Sequence, residues 1–265
     1  MPELSYVVTT SRRGDPDLAM RARAWAERLG VRYVPRADRS LPALCAQEDV
    51  EAALTVTPVR VGLVIPAEGV EYFFHPNMAR TRIRNLRDGK GDPMVTAMAL
   101  QPGDAVLDCT LGRGADAIVA AWVIGQEGRV VGYEADLLVA ALTIEGLRSY
   151  EIEGSGVQEA MRRIDARHGD CTEVLPTLAQ TSFDVVAFDP FFDETVADSQ
   201  AMQPLRRLGV HRLIPEETFG EARRVARRCV VIKQRRGGPM TDLPGVREVI
   251  AGGGSSIEYV VLDPL

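Results

Sequence analysis

The sequence has few of the residues that build metal sites, disulfide frameworks and hydrolytic triads. Its 265 residues include four cysteines and three histidines, each isolated from the others along the chain. Isolated residues of these types give neither the spacing of a zinc site nor a paired disulfide framework, and no Ser-His-Asp arrangement is evident. We therefore expect reduced cysteines in the core, no metal and no serine-type catalysis.

Long apolar runs and a secretion signal are also lacking. No segment approaches the roughly 18 uninterrupted apolar residues of a membrane span. The first residues, MPELSYVVTTSRRGD, do not follow the basic-then-apolar order of a signal peptide. With 46% hydrophobic residues, the chain is expected to be cytoplasmic, without membrane contact, and to form one large and one small domain.

Positive charge is in deficit overall but is concentrated in one part of the chain. The net charge is −6, yet residues 1–90 carry 14 basic against 11 acidic residues, and the remainder carries 17 against 26. Local potential, more than net charge, attracts a phosphate backbone. We predict contacts with a phosphate backbone for the basic run, although a solvated helix face or surface loop remains the alternative. The run comprises Arg80, Arg82, Arg84, Arg87 and Lys90.

Hydrophobic periodicity predicts two α/β domains. Residues 1–90 are expected to form a small N-terminal lobe in which a helix over 16–29 follows the first strand. The strands of this lobe are predicted at 5–9, 31–34, 53–56, 61–65 and 70–74. A helix over 92–100 then leads into the second domain, 91–265. There, short apolar strands alternate with helices, which is typical of a mostly parallel sheet, and a terminal antiparallel hairpin closes the chain.

Acidic residues stand where four successive strands of the second domain end. Asp108 precedes a glycine turn, Glu134 follows the next strand, and Asp170 and Asp189 follow the two after that. In an open α/β sheet the carboxyl ends of the strands form one rim at which ligands bind. The alternatives are that the glycines serve the turn alone and that the acids cap helices.

The glycine turn favours a nucleoside ligand over a dinucleotide. Gly112 and Gly114 lead into a helix, but Ile118 occupies the place of the third glycine of the dinucleotide fingerprint, which makes a pyrophosphate site less favourable. Glu134 stands where an acidic side chain accepts hydrogen bonds from ribose hydroxyls, and Asp170 fits an adenine amino group.

Four stretches of the chain together resemble a known family. They are HPNMA at residues 75–79 with the basic run behind it, DCTLGRGADA at 108–117, VAFDPFF at 186–192 and VVIKQ at 230–234. These are similar to the class I methyltransferases that bind S-adenosylmethionine (SAM), and more narrowly to the ribosomal RNA small subunit methyltransferase J family. The resemblance implies a Rossmann-like sheet, SAM as cofactor, and methylation of guanine N2 in 16S ribosomal RNA or the small ribosomal subunit.

The resemblance also assigns roles to single residues. The strand-end sequence Asp189-Pro190-Phe191-Phe192 looks like the motif of amino-methylating enzymes, which implies catalytic roles for Asp189, Pro190 and Phe192. The family's aspartate after the glycine turn falls on Asp116. The predicted SAM site then consists of Asp108, Gly112, Gly114, Ala115, Asp116, Glu134, Ala135, Asp170, Cys171 and Asp189.

Other functions remain open at this point. A SAM-dependent enzyme of this kind could act on DNA or on a small amine, since fold and cofactor do not fix the substrate. A nucleotide-binding oxidoreductase would share the glycine turn and Glu134. A non-catalytic RNA-binding assembly protein would share the basic run.

Overall fold

The computed structural model describes residues 4–11, 16–154, 156–190 and 214–265. The chain divides into two compact units, the first containing residues 4–74 of this part and the second beginning at His75. This division falls earlier in the chain than the boundary expected at residue 90. The helix Asn77–Arg87 belongs to the second unit because it packs on helices of that unit.

The first unit is a four-stranded sheet with two helices. Its strands are adjacent in the order β1-β2-β3-β4, with β1 and β2 parallel and the other neighbours antiparallel. The elements in chain order are β1 (Tyr6–Thr10), α1 (Pro16–Leu29), α2 (Leu41–Glu48), β2 (Ala52–Val56), β3 (Val61–Ile65) and β4 (Val70–Phe73).

Two features of this unit differ from the sequence prediction. Residues 31–34 make a single parallel bridge from Tyr33 to Val8 and no strand, and the chain soon turns at Ala37, where φ is 49°. Helix α2 was not predicted, although its start carries a signal: the Ser40 side chain accepts a hydrogen bond from the backbone N–H of Ala43.

The second unit is a seven-stranded sheet flanked by helices. Its strands are β5 (Ala105–Asp108), β6 (Arg129–Glu134), β7 (Ile164–His168), β8 (Phe183–Phe188), β9 (Ala226–Arg235), β10 (Val246–Ala251) and β11 (Ile257–Leu262). The helices of the described part are α3 (Asn77–Arg87), α4 (Pro93–Met98), α5 (Ala115–Ile124), α6 (Leu137–Ser149), α7 (Val157–Arg162), α8 (Cys171–Val174) and α9 (Glu216–Val225).

The strand order, β10-β11-β9-β8-β5-β6-β7, confirms the expected architecture. Strands β5 to β9 run parallel to one another, and β11 is antiparallel to both β9 and β10. The order reverses beside β5, so β6 and β7 lie on one side of it and β8 and β9 on the other. Such a reversal opens a ligand crevice at the carboxyl ends of the central strands.

The two faces of this sheet bury different sets of residues. Leu107, Phe188 and Ile232 belong to one apolar cluster, in which the rings of Phe188 and Phe219 meet edge to face at 5.2 Å. Since side chains alternate along a strand, their neighbours point to the opposite face. All four cysteines are buried and form no disulfide, as predicted. Across the described residues, no helix is long and apolar enough to cross a membrane.

Candidate active site

Charged side chains meet at the carboxyl ends of β5, β8 and β9. Asp108, Asp189 and Lys233 each follow an apolar residue two positions earlier on the same face of the sheet, and all three line one small cavity of about 10 Å³. Asp116 of α5 and Tyr259 of β11 line it too. The sheet therefore brings predicted site residues from distant parts of the chain to one place.

The glycine turn after β5 is shaped by backbone conformations that side chains disfavour. Gly112 and Gly114 have φ of 51° and 74°, in the left-handed region where glycine carries no steric cost. Gly114 is the N-cap of α5 and leaves the helix without a side-chain cap. Ala115 is the first residue of α5. The first turn of α5 thus presents backbone N–H groups towards the rim.

Gly132 in β6 permits the turn to pack closely on the sheet. A Cβ atom at this position would lie 2.6 Å from Cδ1 of Leu111, closer than non-bonded carbon atoms approach. Leu111 itself is bound to the sheet, because its N–H donates to the carbonyl of Tyr133 over 2.9 Å. The turn is therefore seated against β6, which carries Glu134 at its end.

Glu134 is held by backbone donors on both carboxylate oxygens. The N–H of Gly112 donates to Oε2 over 2.8 Å, and the N–H of Asp136 donates to Oε1 over 2.9 Å. Burial raises the pKa of Glu134, while these hydrogen bonds oppose that shift. The contact with Gly112 ties the end of β6 to the glycine turn, so two predicted site residues are joined directly.

The third acidic strand end lies beside Glu134. Asp170 caps α8, accepting hydrogen bonds on Oδ1 from the N–H and the hydroxyl of Thr172 at 2.9 and 2.7 Å. The capping alternative for Asp170 is therefore confirmed, and a further contact to a ligand stays a prediction. Cys171 is buried in the core beneath it, and the carbonyl of Ala135 lies 3.2 Å from Nε2 of His168.

Asp108 is a buried carboxyl surrounded by other acids. Its side chain is 5% exposed. Burial raises its pKa to about 8, and the charges of Asp116, Asp189 and Glu134 act in the same direction. The N–H of Thr110 donates to Oδ1 over 3.1 Å and opposes the shift. A cationic ligand at this rim would favour the ionised form of Asp108.

Asp189 is fixed at its backbone and at its side chain. Its N–H donates to Oγ1 of Thr110 over 2.6 Å, and Lys233 donates to its Oδ2 over 2.6 Å. The side chain remains 38% exposed and can be reached by a substrate. Pro190 follows at the same rim and is also partly exposed. Phe191 and Phe192 lie outside the described residues.

Arg82 is paired with carboxylates of the protein, and its contact with a phosphate stays a prediction. Its guanidinium donates to Asp92 through Nε and Nη2 at 2.7 and 2.9 Å, and it also pairs with Asp116. Helix α3 buries Ala79 and Ile83, and Arg82 is partly buried beside Ile83 instead of on the outer face. These ion pairs hold most of the Arg82 side chain against the protein, with 18% of it exposed.

The other basic residues of the run are exposed. Arg80, Arg84 and Arg87 recur at helical spacing on one face of α3. They border an open groove of about 530 Å³, and Lys90 is exposed just beyond the helix. The groove is lined by Asn77, Arg80, Thr81, Arg84, Arg87, Glu153 and Gly154. A basic helix face beside a groove of this size suits an extended polyanion.

The hydrogen-bond acceptors of the rim suit a cationic nucleoside. Asp108, Glu134 and Asp170 are hydrogen-bond acceptors, which match hydroxyl and amino groups and repel a pyrophosphate. The described residues contain no cluster of three or more His, Cys, Asp or Glu side chains that could hold a metal ion. The chemistry that such a site supports is the binding of a positively charged, hydroxyl-rich ligand.

Comparison with known proteins identifies the family. Residues 42–248 match the SAM_MT family of SAM-dependent methyltransferases, which is well over half of the chain. The chain belongs to the SAM-dependent methyltransferase family. Its cofactor is SAM, a nucleoside with a sulfonium charge.

Individual relatives agree with this family. The chain is 38% identical over 227 residues to the uncharacterized protein YpiP of Bacillus subtilis, covering 86% of this chain and 88% of that protein. It is 28% identical over 240 residues to ribosomal RNA small subunit methyltransferase J of Halorhodospira halophila, covering 86% and 85% respectively. A crystal structure of a SAM-dependent methyltransferase from Neisseria gonorrhoeae has the same fold, with a TM-score of 0.64, 19% identity and coverage of 97% and 95%.

Three residues of this candidate site were not predicted from the sequence. Thr110 bonds the backbone of Asp189, and Lys233 and Tyr259 are directly opposite each other on β9 and β11. The signal for Lys233 was its position: it lies near the carboxyl end of a strand in the stretch VVIKQ, at the same rim as the predicted acids. No comparable signal marked Tyr259.

Proposed function

We propose that this methyltransferase methylates the exocyclic N2 amine of guanine in 16S ribosomal RNA. The observation that carries this proposal is Asp189, which follows β8, is followed by a proline, and remains accessible beside the acids of the rim. The relative from Halorhodospira halophila supports the RNA substrate, because its name specifies the small-subunit ribosomal RNA.

The residues of the rim would hold the cofactor by its nucleoside. When bound, SAM supplies a methyl group carried by a positively charged sulfur. Glu134 would accept hydrogen bonds from the ribose hydroxyls on the lone pairs that Gly112 and Asp136 do not use. Asp170 would accept one from the adenine amino group. Asp108 would contribute negative charge near the cation once ionised.

The acceptor amine requires alignment more than activation by a strong base. The lone pair of an amine conjugated to a purine ring is delocalised, so the nitrogen must be aimed at the methyl group. In this proposal the Asp189 carboxylate and the Pro190 carbonyl each accept one N–H of that amine, and Phe192 stacks on the base. Such alignment contributes several kcal/mol to rate enhancement.

Asp189 would also act on the charge that develops during transfer. The nitrogen gains positive charge as its bond to carbon forms and the carbon–sulfur bond breaks, with the electron pair staying on sulfur. A carboxylate already in contact with the N–H stabilises this charge. The nitrogen then loses one proton, and the carboxylate is a sufficient base because the cationic nitrogen is acidic.

The outer face of α3 would contact the RNA backbone. Arg80, Arg84, Arg87 and Lys90 are exposed, and three of them border the groove. Arginine suits phosphate oxygens because its planar guanidinium donates two hydrogen bonds at once. These contacts would offset the cost of extruding a base from helical RNA, a few kcal/mol.

The proposal is tested by identifying the methylated product. The purified protein is incubated with SAM labelled in the methyl group and with unmethylated 16S ribosomal RNA or 30S subunits, and the RNA is digested and analysed by mass spectrometry. The expected product is N2-methylguanosine. Label in DNA or a small amine, in another nucleoside, or in no acceptor at all would contradict the proposal; the last would favour an RNA-binding assembly protein.

A further inference from the structure

Lysine is rare in this chain, and one of its lysines contacts the proposed catalytic carboxylate. Of the 31 basic residues, only Lys90 and Lys233 are lysines; the other 29 are arginines. Lys233 lies on β9 in register just after the pair Phe188 and Ile232, which places it beside Asp189. Its Nζ donates to Oδ2 of Asp189 over 2.6 Å.

The ammonium group of Lys233 is held from its other side as well. Oδ2 of Asp116 lies 3.7 Å from Nζ. Asp116 is fixed in turn by Arg82, which is bound by Asp92 through two hydrogen bonds. Positive and negative groups therefore alternate from Asp92 to Asp189. Asp116 is thus a second carboxylate partner that holds the ammonium group of Lys233 in place.

The contact uses one oxygen of Asp189. A lysine ammonium is a compact charge that can bond a single carboxylate oxygen, whereas an arginine guanidinium forks across both. A lysine at position 233 thus leaves Oδ1 to serve another donor. Elsewhere in the described part of the chain, partly buried ion pairs use arginine, as at Arg82 and Arg228. The choice of lysine here therefore has a chemical consequence.

We propose that Lys233 is a positioning residue for methyl transfer: it keeps Asp189 ionised through Oδ2 and leaves Oδ1 to the acceptor amine. This inference rests on the proposed function of Asp189. It adds that the two oxygens of the Asp189 carboxylate have different partners, and it gives a reason why residue 233 is a lysine.

The charges around Asp189 make its ionisation depend on Lys233. Its pKa is raised by burial, lowered by Lys233 and raised by Asp116. Removing the lysine would take away the largest favourable interaction and leave that of Arg82 to oppose burial and the charge of Asp116. In the described part of the chain, the other charged or titratable groups facing this cluster are Arg82 on α3, Asp108 at the end of β5, Asp116 on α5 and Tyr259 on β11.

Two substitutions separate the charge of Lys233 from its occupancy of one oxygen. We would measure single-turnover methyl transfer to 16S ribosomal RNA at saturating SAM and RNA from pH 5 to 9. Lys233→Met should move the acid limb of the profile upward by about 1–3 pH units. Lys233→Arg should leave the limb in place but lower the plateau rate at least tenfold, because the guanidinium covers Oδ1. Arg227→Met, which removes a cation near the opposite end of the same strand, should leave the limb unmoved.

A spectroscopic measurement makes the result independent of turnover. Protein labelled with ¹³C and ¹⁵N in lysine gives two side-chain signals, which Lys90→Arg assigns. The Lys233 signal should shift as Asp189 ionises, and this step should vanish in Asp189→Asn. The inference would be overturned if the parent is active and Lys233→Met leaves the acid limb of its profile in place. It would also be overturned if the pH-dependent step of the Lys233 signal persists in Asp189→Asn. A parent that shows the step but transfers no methyl group to RNA would overturn the proposed function instead.

Discussion

Lys233 donates a 2.6 Å hydrogen bond to Oδ2 of Asp189 across the neighbouring strands β9 and β8. This hydrogen bond joins the carboxylate that the DPFF sequence marks to a cation that had no predicted role. It also connects the substrate side of the rim to Asp116, and through it to Arg82. The electrostatics of the site therefore depend on residues from α3, α5, β8 and β9 together.

Glu134 should contribute directly to SAM affinity. Glu134→Ala removes a carboxylate proposed to receive the ribose hydroxyls, and the expected loss is about 1.5–3 kcal/mol, or roughly 10- to 150-fold in Kd. Isothermal titration calorimetry with SAM measures it. Glu127→Ala, in the exposed turn before the same strand, is the matched control. Equal affinities in the two variants would remove Glu134 from the site.

Asp108 should make stability depend on pH. Its pKa rises from an ordinary 3.8 to about 8 in the folded chain, so the fold favours the protonated form. The stabilisation is present at low pH and is lost as pH rises through about 8. Asp108→Asn cannot ionise at this position. Its free energy of unfolding should therefore increase relative to that of the parent as pH increases, by up to about 1.4 kcal/mol per pH unit.

Urea denaturation between pH 5 and 8 measures this difference. Asp184→Asn, which removes a carboxylate from the neighbouring strand β8, serves as the matched control. A stability difference between Asp108→Asn and the parent that stays constant over this pH range would show that Asp108 is not perturbed.

Arg82 and Arg84 should behave differently although they lie on the same helix. Arg82→Met leaves Asp92 and Asp116 without their guanidinium partner, and breaking a buried ion pair on one side costs on the order of 3–5 kcal/mol. Arg84 is exposed, and Arg84→Met should change stability by about 0.5 kcal/mol or less. Thermal unfolding followed by circular dichroism compares them. Similar melting temperatures would argue that Arg82 is a surface residue after all.

The outer face of α3 should set the salt dependence of RNA binding. Replacing Arg80, Arg84 and Arg87 with serine should flatten the plot of log affinity against log salt by about 0.7–0.9 for each phosphate that is no longer bound, while SAM affinity is retained. Filter binding to 16S ribosomal RNA at several salt concentrations measures the slope. Arg129→Ser with Arg227→Ser, at the opposite ends of the strands, is the control. A slope unchanged by the triple substitution would show that this face does not bind RNA phosphates.

The large sheet and its acidic rim could be predicted from the sequence because both follow from local patterns. Short apolar strands alternate with helices, and each acid stands next to its own strand, so no long-range knowledge was needed for Asp108 or Glu134. The partners of Arg82 could not be predicted in this way. They depend on how α3 packs on α5, and a basic run looks the same in sequence whether a residue faces solvent or a buried carboxylate.

The pairing of Lys233 with Asp189 illustrates the same limit. The two residues are far apart in the chain, and their pairing depends on the register of β8 against β9, where a shift by one residue would turn one side chain to the opposite face. In the first unit, the single bridge at Tyr33 shows that an apolar run becomes a strand only when its backbone finds a continuous partner.

The most direct test of the proposed mechanism is the single-turnover rate of methyl transfer by Asp189→Ala at saturating SAM and 16S ribosomal RNA. The variant should stay folded by circular dichroism and bind SAM within a few-fold of the parent. Its rate should fall by about 10²–10³ or more, because the interaction of the carboxylate with the amine strengthens as charge develops on nitrogen. A folded Asp189→Ala protein that produces N2-methylguanosine at the parent rate would contradict the mechanism.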